Sequence, residues 1–380
     1  MWDLALDKCN RFYKTLVRVP ARVAWGRRGP RVASMSPEKI RRVTILLMER
    51  IGDMVVALPL FERLRQTLPH AHLTLITTPL AAQVMQDDRR VDELIVTRYF
   101  KNDFWEKLSA VRDRGIDVVI DLNDKDSNSA VVTSMFLANR HTPMITLGKG
   151  RFGHFYDANY PHDGQTTIAA ALMRPLRFFG GDGSAPARLS PLFTLPDVRE
   201  RVESWITQMR QQVSGDGLMF GLNVSAGEPQ RVWSASNFVL LGQVLHRRFP
   251  GSCCVIICAP AERATAVAVA ETIGRTAVVL PEGLSLQGVA ALIGGLDLLV
   301  SSDTAPVHIA RAYLTPVVAL YRDHSDNLAE WRPYGQRRGA VVSSEANGIT
   351  TITADMVIQE IEAVLAESSA RPLESTGASH

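Results

Sequence analysis

The sequence predicts an α/β protein made of two parallel-sheet domains, and three observations carry that reading. Short continuous apolar runs recur along the chain, as in parallel strands buried on both faces, with helical stretches between them. The alternation runs twice, and a stretch rich in Gly, Ser and Pro at 180–196 separates the two rounds. A length of 380 residues fits two domains of about 100–200 residues each. With 46% hydrophobic and 21% charged residues the chain can bury two cores, which excludes disordered and collagen-like classes. No apolar run approaches the roughly 20 residues that a membrane-spanning helix needs.

In the first round, strands are predicted at 43–48, 72–76, 93–96, 117–121 and 143–147. A helix is predicted from Met54 to about Leu68, after the loop Glu49-Arg50-Ile51-Gly52-Asp53. In the second round, strands are predicted at 219–224, 254–258, 277–280, 296–300 and 317–320. A last helix at about 354–367 carries Met356, Val357, Ile361, Val364 and Leu365 on one face. Two such domains place a ligand cleft at the carboxyl ends of their sheets. No Walker A sequence and no Gly-x-Gly-x-x-Gly follows a strand, which disfavours a P-loop NTPase or an ordinary dehydrogenase. Cys9, Cys253, Cys254 and Cys258 make no disulfide framework and no paired metal-ligand spacing. Three of them lie in an apolar run and read as small core residues in a reducing compartment.

Three strand-end segments carry the candidate chemistry. In Arg50-Ile51-Gly52-Asp53, glycine permits a tight turn and Asp53 arrives where a helix begins. It is either an N-cap or a catalytic carboxylate, and the helix N-terminus should keep it ionised and a weak base. In the loop from Asn223 to Ser234, the small residues Ser225, Ala226 and Gly227 allow close backbone approach to an anion. Arg231 adds a permanent forked cation there, and Trp233 reads as a packing anchor. In Ser301-Ser302-Asp303-Thr304-Ala305-Pro306-Val307-His308, Asp303 or Thr304 would cap a helix with Pro306 in its first turn. The amides of that turn suit phosphate, and His308 shares a face with Thr304.

Taken together and in order, Arg50-x-Gly52-Asp53-x-Val55-x-x-x-Pro59, Ser225-Ala226-Gly227 through Arg231-x-Trp233, and Asp303-Thr304-x-x-x-His308 resemble the ADP-heptose:lipopolysaccharide heptosyltransferases of glycosyltransferase family 9. Asp117-Val118-Val119-Ile120-Asp121-Leu122 followed by Ser127 is similar to that family's second acceptor-side strand, and the resemblance covers roughly residues 43–365. It implies a GT-B fold, two Rossmann-like domains facing across a cleft. The implied organisation is a basic arm at 1–42, an acceptor-side domain at 43–180, a linker at 181–196, a donor domain at 197–350, and a last helix with a flexible tail at 351–380.

The resemblance also implies site roles. Asp53 would be the general base, with Arg50, Gly52, Asp121 and Ser127 on the acceptor side. Ser225, Ala226, Gly227, Arg231, Glu262, Asp303, Thr304, Ala305 and His308 would bind the donor, with Glu262 on the adenosine ribose. Arg231 stands where the family usually has lysine, and Ala305 where it most often has glycine. Asp121-x-x-Asp124-x-Asp126 resembles a metal-binding Asp-x-Asp, but it falls in the acceptor-side domain and is read as a solvated loop, with Asp121 lining the cleft. The implied activity is inverting, metal-independent and free of cofactors: a sugar, heptose in the family, passes from an ADP-sugar to a lipopolysaccharide-core or related glycan. Rival readings are a non-catalytic GT-B scaffold, a GT-B enzyme for another nucleotide sugar, and a GT-B sugar-nucleotide epimerase.

Charge sorts unevenly along the chain. The net +3 divides into +8 over residues 1–42, from eleven Lys or Arg against three acids, and −5 over the rest. A mildly acidic body argues against a general nucleic-acid binder. Within the arm, Trp2, Leu6, Cys9, Tyr13 and Leu16 form an apolar stripe flanked by Lys8, Arg11, Lys14 and Arg18. A basic amphipathic helix of this kind suits an anionic membrane surface, and implies a cytoplasmic protein peripheral at the inner membrane. Packing against protein is the alternative.

Overall fold

The computed structural model describes residues 32–101, 103–123, 126–139, 141–162, 164–212, 217–323 and 325–370. The amphipathic stripe of the arm, Asp124 and the tail beyond residue 370 lie outside the described residues. Two compact units divide between Pro186 and Ala187.

The first unit holds β1 (Arg42–Leu47), β2 (His72–Thr77), β3 (Glu93–Val96), β4 (Val118–Asp121), β5 (Met144–Leu147) and β6 (Ala158–Tyr160). The strands are parallel throughout, in the order β3-β2-β1-β4-β5-β6. The second unit repeats the plan with β7 (Met219–Asn223), β8 (Cys253–Ile257), β9 (Ala277–Val279), β10 (Leu298–Ser302), β11 (Val317–Tyr321) and β12 (Ala340–Val342). Its order is β12-β11-β10-β7-β8-β9, again parallel. In both sheets the winding direction reverses between the two central strands, β1/β4 and β7/β10. Ligands of doubly wound sheets bind at such a reversal, outside the carboxyl ends of the strands.

The central strands are buried on both faces, which is why their sequences run apolar without alternation. β6 and β12 escape the apolar-run criterion because each is a three-residue strand at a sheet edge. β10 begins and ends two residues later than its apolar run, because Ser301 and Ser302 continue the ladder beside β11 as buried hydroxyl residues. In the second unit, Phe220, Leu222, Val300, Val318, Trp233 and Phe238 share one core with Val357, Ile361 and Val364 of the last helix, Ala354–Ala370. Met356 is 39% exposed and lies off that buried face, so the helix packs on an i, i+4, i+7 stripe. Among the described residues, no helix is long and apolar enough to cross a membrane.

One charged pair sits inside the first unit. Asp121 ends β4 and Lys149 follows β5, their side chains have no solvent exposure, and Lys149 Nζ lies 3.5 Å from Asp121 Oδ2. Lys149 Nζ also donates to the carbonyl of Asn123 at 2.9 Å, and Tyr156 donates its phenol proton to Asp121 Oδ2. Removing one partner of a buried pair strands the other charge, at a cost of about 3–5 kcal/mol. Lys149→Ala should therefore lower the urea midpoint by that equivalent, and Lys149→Met combined with Asp121→Asn should recover part of it. A Lys149→Ala protein as stable as the wild type would show that the pair is not desolvated.

Candidate functional site

At the reversal point of the first unit, β1 runs through Met48 and Glu49 into helix α1 (Ile51–Thr67). The helix starts three residues before the predicted Met54, so Arg50 is the N-cap residue and Asp53 the third residue of the first turn. Asp53 Oδ2 accepts the backbone N–H of Arg50 at 3.1 Å. Asp53 is thus the back-reaching acid of a helix start and not the cap itself. Burial pushes its carboxyl up from an ordinary 3.8 to about 6, and the charge of Glu49 adds to the rise. The Arg50 amide and guanidinium pull the other way and lose. The weak base inferred from the helix terminus is corrected: Asp53 is a half-buried base, ionised above about pH 6.

The β1–α1 connection is pinned from the side. Asn123 Oδ1 accepts from Met48 N at 2.6 Å, while Asn123 Nδ2 donates to the carbonyl of Leu46 at 3.0 Å and to Asp121 Oδ1 at 2.8 Å. Asp121, predicted to face an acceptor, is instead an inward anchor with no exposed surface. The reason is the lysine beside it: a carboxylate gains more from a buried cation and two hydrogen-bond donors than the strand end offers it outside. Ser127 caps helix Asn128–Leu137, its hydroxyl accepting from Ala130 N at 3.2 Å. Arg50 is exposed, Gly52 is half-buried and Asp126 is exposed. Among the described residues no group of three or more His, Cys, Asp or Glu could hold a metal ion.

At the reversal point of the second unit, the loops after β7, β8 and β10 are tied together. Asn223, the last residue of β7, donates from Nδ2 to the carbonyl of Ser225 and to Ser301 Oγ, both at 3.0 Å, and to Thr304 Oγ1 at 3.4 Å. Ser225 Oγ donates to Glu262 Oε2 at 3.2 Å and accepts from Ala259 N at 2.7 Å. Arg231 Nη1 donates to the carbonyl of Asp303 at 2.6 Å and lies 3.3 Å from its carboxylate, while Glu228 lies 3.6 Å from Arg231 Nε. That Nε is buried with no hydrogen-bond acceptor. Nothing lies within 4 Å of the position a Cβ on Gly227 would take, so the backbone there faces open space.

Helix Ala305–Ala312 follows Asp303 and Thr304 with Pro306 in its first turn. Thr304 occupies the cap position, but its hydroxyl donates to the carbonyl of Ser302 at 3.1 Å and not to the helix amides. Ala305 opens the helix, half-buried. His308 is buried, and burial pushes its pKa down to about 4, which keeps the imidazole neutral near pH 7. Its ring lies 5.5 Å from Trp331. Trp233 is buried, and its Nε1 donates to the carbonyl of Ile352 at 2.8 Å.

The predicted donor-side residues Ser225, Glu262, Arg231, Asp303 and Thr304 therefore share one hydrogen-bonded neighbourhood. Sequence reasoning missed Asn123, Lys149, Asn223, Glu228 and Glu49. The legible signal was a polar residue within two positions of a strand's end, which marks Asn123, Lys149 and Asn223.

Residues 200–356 match the family described as "Glycosyltransferase family 9 (heptosyltransferase)". No curated protein matches the sequence. Three solved structures are similar in fold. The glycosyl transferase family 9 protein from Veillonella parvula DSM 2008 is 20% identical with a TM-score of 0.71, covering 88% of this chain and 99% of that one. E. coli ADP-heptose lps heptosyltransferase II is 16% identical with a TM-score of 0.65, covering 87% and 100%. E. coli heptosyltransferase WaaC with ADP is 19% identical with a TM-score of 0.64, covering 87% and 99%. The two six-stranded parallel sheets with flanking helices are the GT-B plan.

Because the folded state holds the Asp53 proton more tightly than an ordinary carboxyl, the stability tied to that proton is complete below about pH 3.8. It is lost as the pH rises through about 6. Asp53→Asn keeps an oxygen for the Arg50 amide and cannot ionise. Its melting temperature should exceed the wild type's at pH 7.5, and the gain should vanish at pH 3.5. A gain that persists at pH 3.5, or none at pH 7.5, would contradict the burial of this carboxylate.

Proposed function

We propose that this chain, whose residues 200–356 carry the glycosyltransferase family 9 domain, is an inverting glycosyltransferase. In this reading it moves heptose from ADP-heptose to a lipopolysaccharide-core or related glycan acceptor. The observation that carries the reading is the tie between Arg231 and Asp303, which joins the β7 and β10 loops at the reversal point of the second sheet. A cation placed there suits a diphosphate leaving group, and the open backbone face of Gly227 leaves room for it. The similar E. coli heptosyltransferase WaaC is solved with ADP and with ADP-2-deoxy-2-fluoro heptose, which supports an adenine-nucleotide sugar as donor.

In the proposed reaction an acceptor hydroxyl attacks the anomeric carbon from the face opposite the diphosphate. The new glycosidic C–O bond forms as the bond to ADP breaks, and its electron pair leaves with the diphosphate. Asp53 takes the hydroxyl proton as the nucleophile loses it. Arg231 and the first turn of helix Ala305–Ala312 meet the charge that develops on the leaving group, the task a metal ion performs in other glycosyltransferases. In this reading Glu262, whose carboxylate accepts from Ser225 Oγ, also accepts from a ribose hydroxyl of the donor. Residues 1–42, with their excess of basic side chains, are proposed to bring the enzyme to the anionic surface where a lipid-linked acceptor resides.

Two measurements test this. Asp53→Asn should fold, bind ADP as the wild type does, and lose about a hundredfold or more in turnover, while wild-type turnover rises with pH through about 6. Near-normal turnover in that variant would remove Asp53 from the chemistry. In a thermal-shift series over ADP, UDP, GDP and CMP, ADP should raise the melting temperature most, since a ligand of the native state stabilises it by mass action. Equal shifts would reject the adenine donor.

For the arm, full-length protein should co-sediment with anionic liposomes at low salt, and a form starting at Ser36 should not. Equal sedimentation of the two would remove the membrane role.

A further inference from the structure

The second unit contains a cation that the reading above does not use. Arg322 is the first residue after β11, at the carboxyl edge of the sheet and one strand over from β10. Its Nη1 donates to Gln230 Oε1 at 3.1 Å. Gln230 directly precedes Arg231, so one short turn, Pro229–Arg231, is touched by one guanidinium and carries another.

Their electrostatic situations differ. Arg231 has Asp303 at 3.3 Å and Glu228 at 3.6 Å, so its positive charge is already outweighed by two carboxylates. An incoming diphosphate would meet a group of three with a net charge of −1. Coulomb repulsion at a few ångströms in a half-buried loop is a substantial barrier to anion binding. Arg322, among the described residues, pairs with no carboxylate, and its partner Gln230 is neutral. It is half-exposed. One of its five N–H donors is used, which leaves a planar fork of the shape that binds phosphate oxygens in pairs. Adding its charge brings the group to neutrality before the ligand arrives. His308, buried and held neutral, supplies no charge near pH 7.

We propose that Arg322 is the second cation of the donor site, binding the diphosphate of the nucleotide sugar beside Arg231. The proposal rests on the second unit being the donor side. On this view the Gln230 contact is a holding position: the neutral amide keeps the guanidinium extended over the loop, and the diphosphate takes the remaining donors. Arg231 contacts the diphosphate from a loop in which Asp303 and Glu228 outweigh its charge, and Arg322 brings the further charge that offsets them.

The test is ADP affinity by titration calorimetry on the full-length chain, at low and at physiological salt. Wild type, Arg322→Gln and Arg322→Lys are compared, with the melting temperature of each free protein. Arg322→Gln can still bond Gln230 but carries no charge. It should weaken ADP binding about tenfold or more, the loss of one charge-assisted contact, and flatten its salt dependence. The free protein's melting temperature should not move, and Arg322→Lys should recover a large part of the affinity. Wild-type ADP affinity in Arg322→Gln overturns the proposal and leaves the donor reading standing. Weakened ADP binding with a lowered melting temperature and no recovery in Arg322→Lys also overturns it, by showing a loop-holding role. A wild-type protein that binds no ADP overturns the donor reading and this proposal with it.

Discussion

In each half of the molecule the two central strands part at their carboxyl ends, and a buried asparagine amide closes the fork. Asn123 joins the end of β4 to Leu46 and Met48 at the end of β1. Asn223, at the end of β7, joins Ser301 and Thr304 at the end of β10. The fork follows from topology: crossovers on either side of a reversal lead to opposite faces of the sheet, so the loops leaving neighbouring strands diverge. Divergence opens the crevice that ligands use, but it also leaves backbone groups without ladder partners in a buried place, which is costly. The Asn123 amide accepts from one β1 backbone group and donates to another, while the Asn223 amide bonds the Ser225 backbone in its own loop and crosses the fork to the Ser301 and Thr304 hydroxyls. Asp53 follows Met48 by five residues and Asp303 lies between the Ser301 and Thr304 partners of Asn223, while Arg231 joins the second fork through Asp303.

The electrostatics of Asp53 turn on a comparison of magnitudes. A helix N-terminus favours an anion by about 0.3–1 kcal/mol, less than the ~1.4 kcal/mol that one pH unit represents. Burial on the first turn of α1, with Glu49 nearby, lifts the carboxyl from 3.8 to about 6, so desolvation outweighs the terminus. A base so raised is still ionised at neutral pH and holds a proton more firmly than a solvated carboxylate would. That combination suits a group that must collect a proton during bond formation.

Much of this organisation was legible in the chain. The central strands announced themselves because parallel strands buried on both faces cannot alternate, and the predicted 117–121 and 143–147 fall within one residue of β4 and β5. The three segments singled out for chemistry were legible because loops after parallel strands are where a doubly wound sheet binds. What was hidden depends on which strand neighbours which. That Asp121 turns inward follows from Lys149, 28 positions later, being carried beside it by β5, and no local pattern reveals that pairing. The edge strands β6 and β12 are too short to show a period, and the two serines closing β10 look like loop until the hydroxyl of Ser301 is seen bonding within the sheet. Arg322 reads in sequence as an ordinary residue after a strand. Only the order β12-β11-β10-β7 places it near the loop that carries Arg231.

The two units use one scaffold for opposite electrostatic ends. Both place a polar loop after the first strand of the sheet and a short polar stretch after the fourth. In the first unit the fourth-strand acid is neutralised inside, by Lys149, and the carboxylate at the first-strand loop, Asp53, has its proton affinity raised by burial and by Glu49. In the second unit the fourth-strand acid, Asp303, reaches the first-strand loop and engages Arg231 there, so the loop is closed by charge and not opened by it. The difference lies in where the compensating cation comes from. A lysine on the fifth strand's loop faces inward in one half, while the residue after the fifth strand of the other half, Arg322, faces the first-strand loop. One cation thus sits in the interior of the first half and at the rim of the second, a difference that two copies of the same strand order do not dictate.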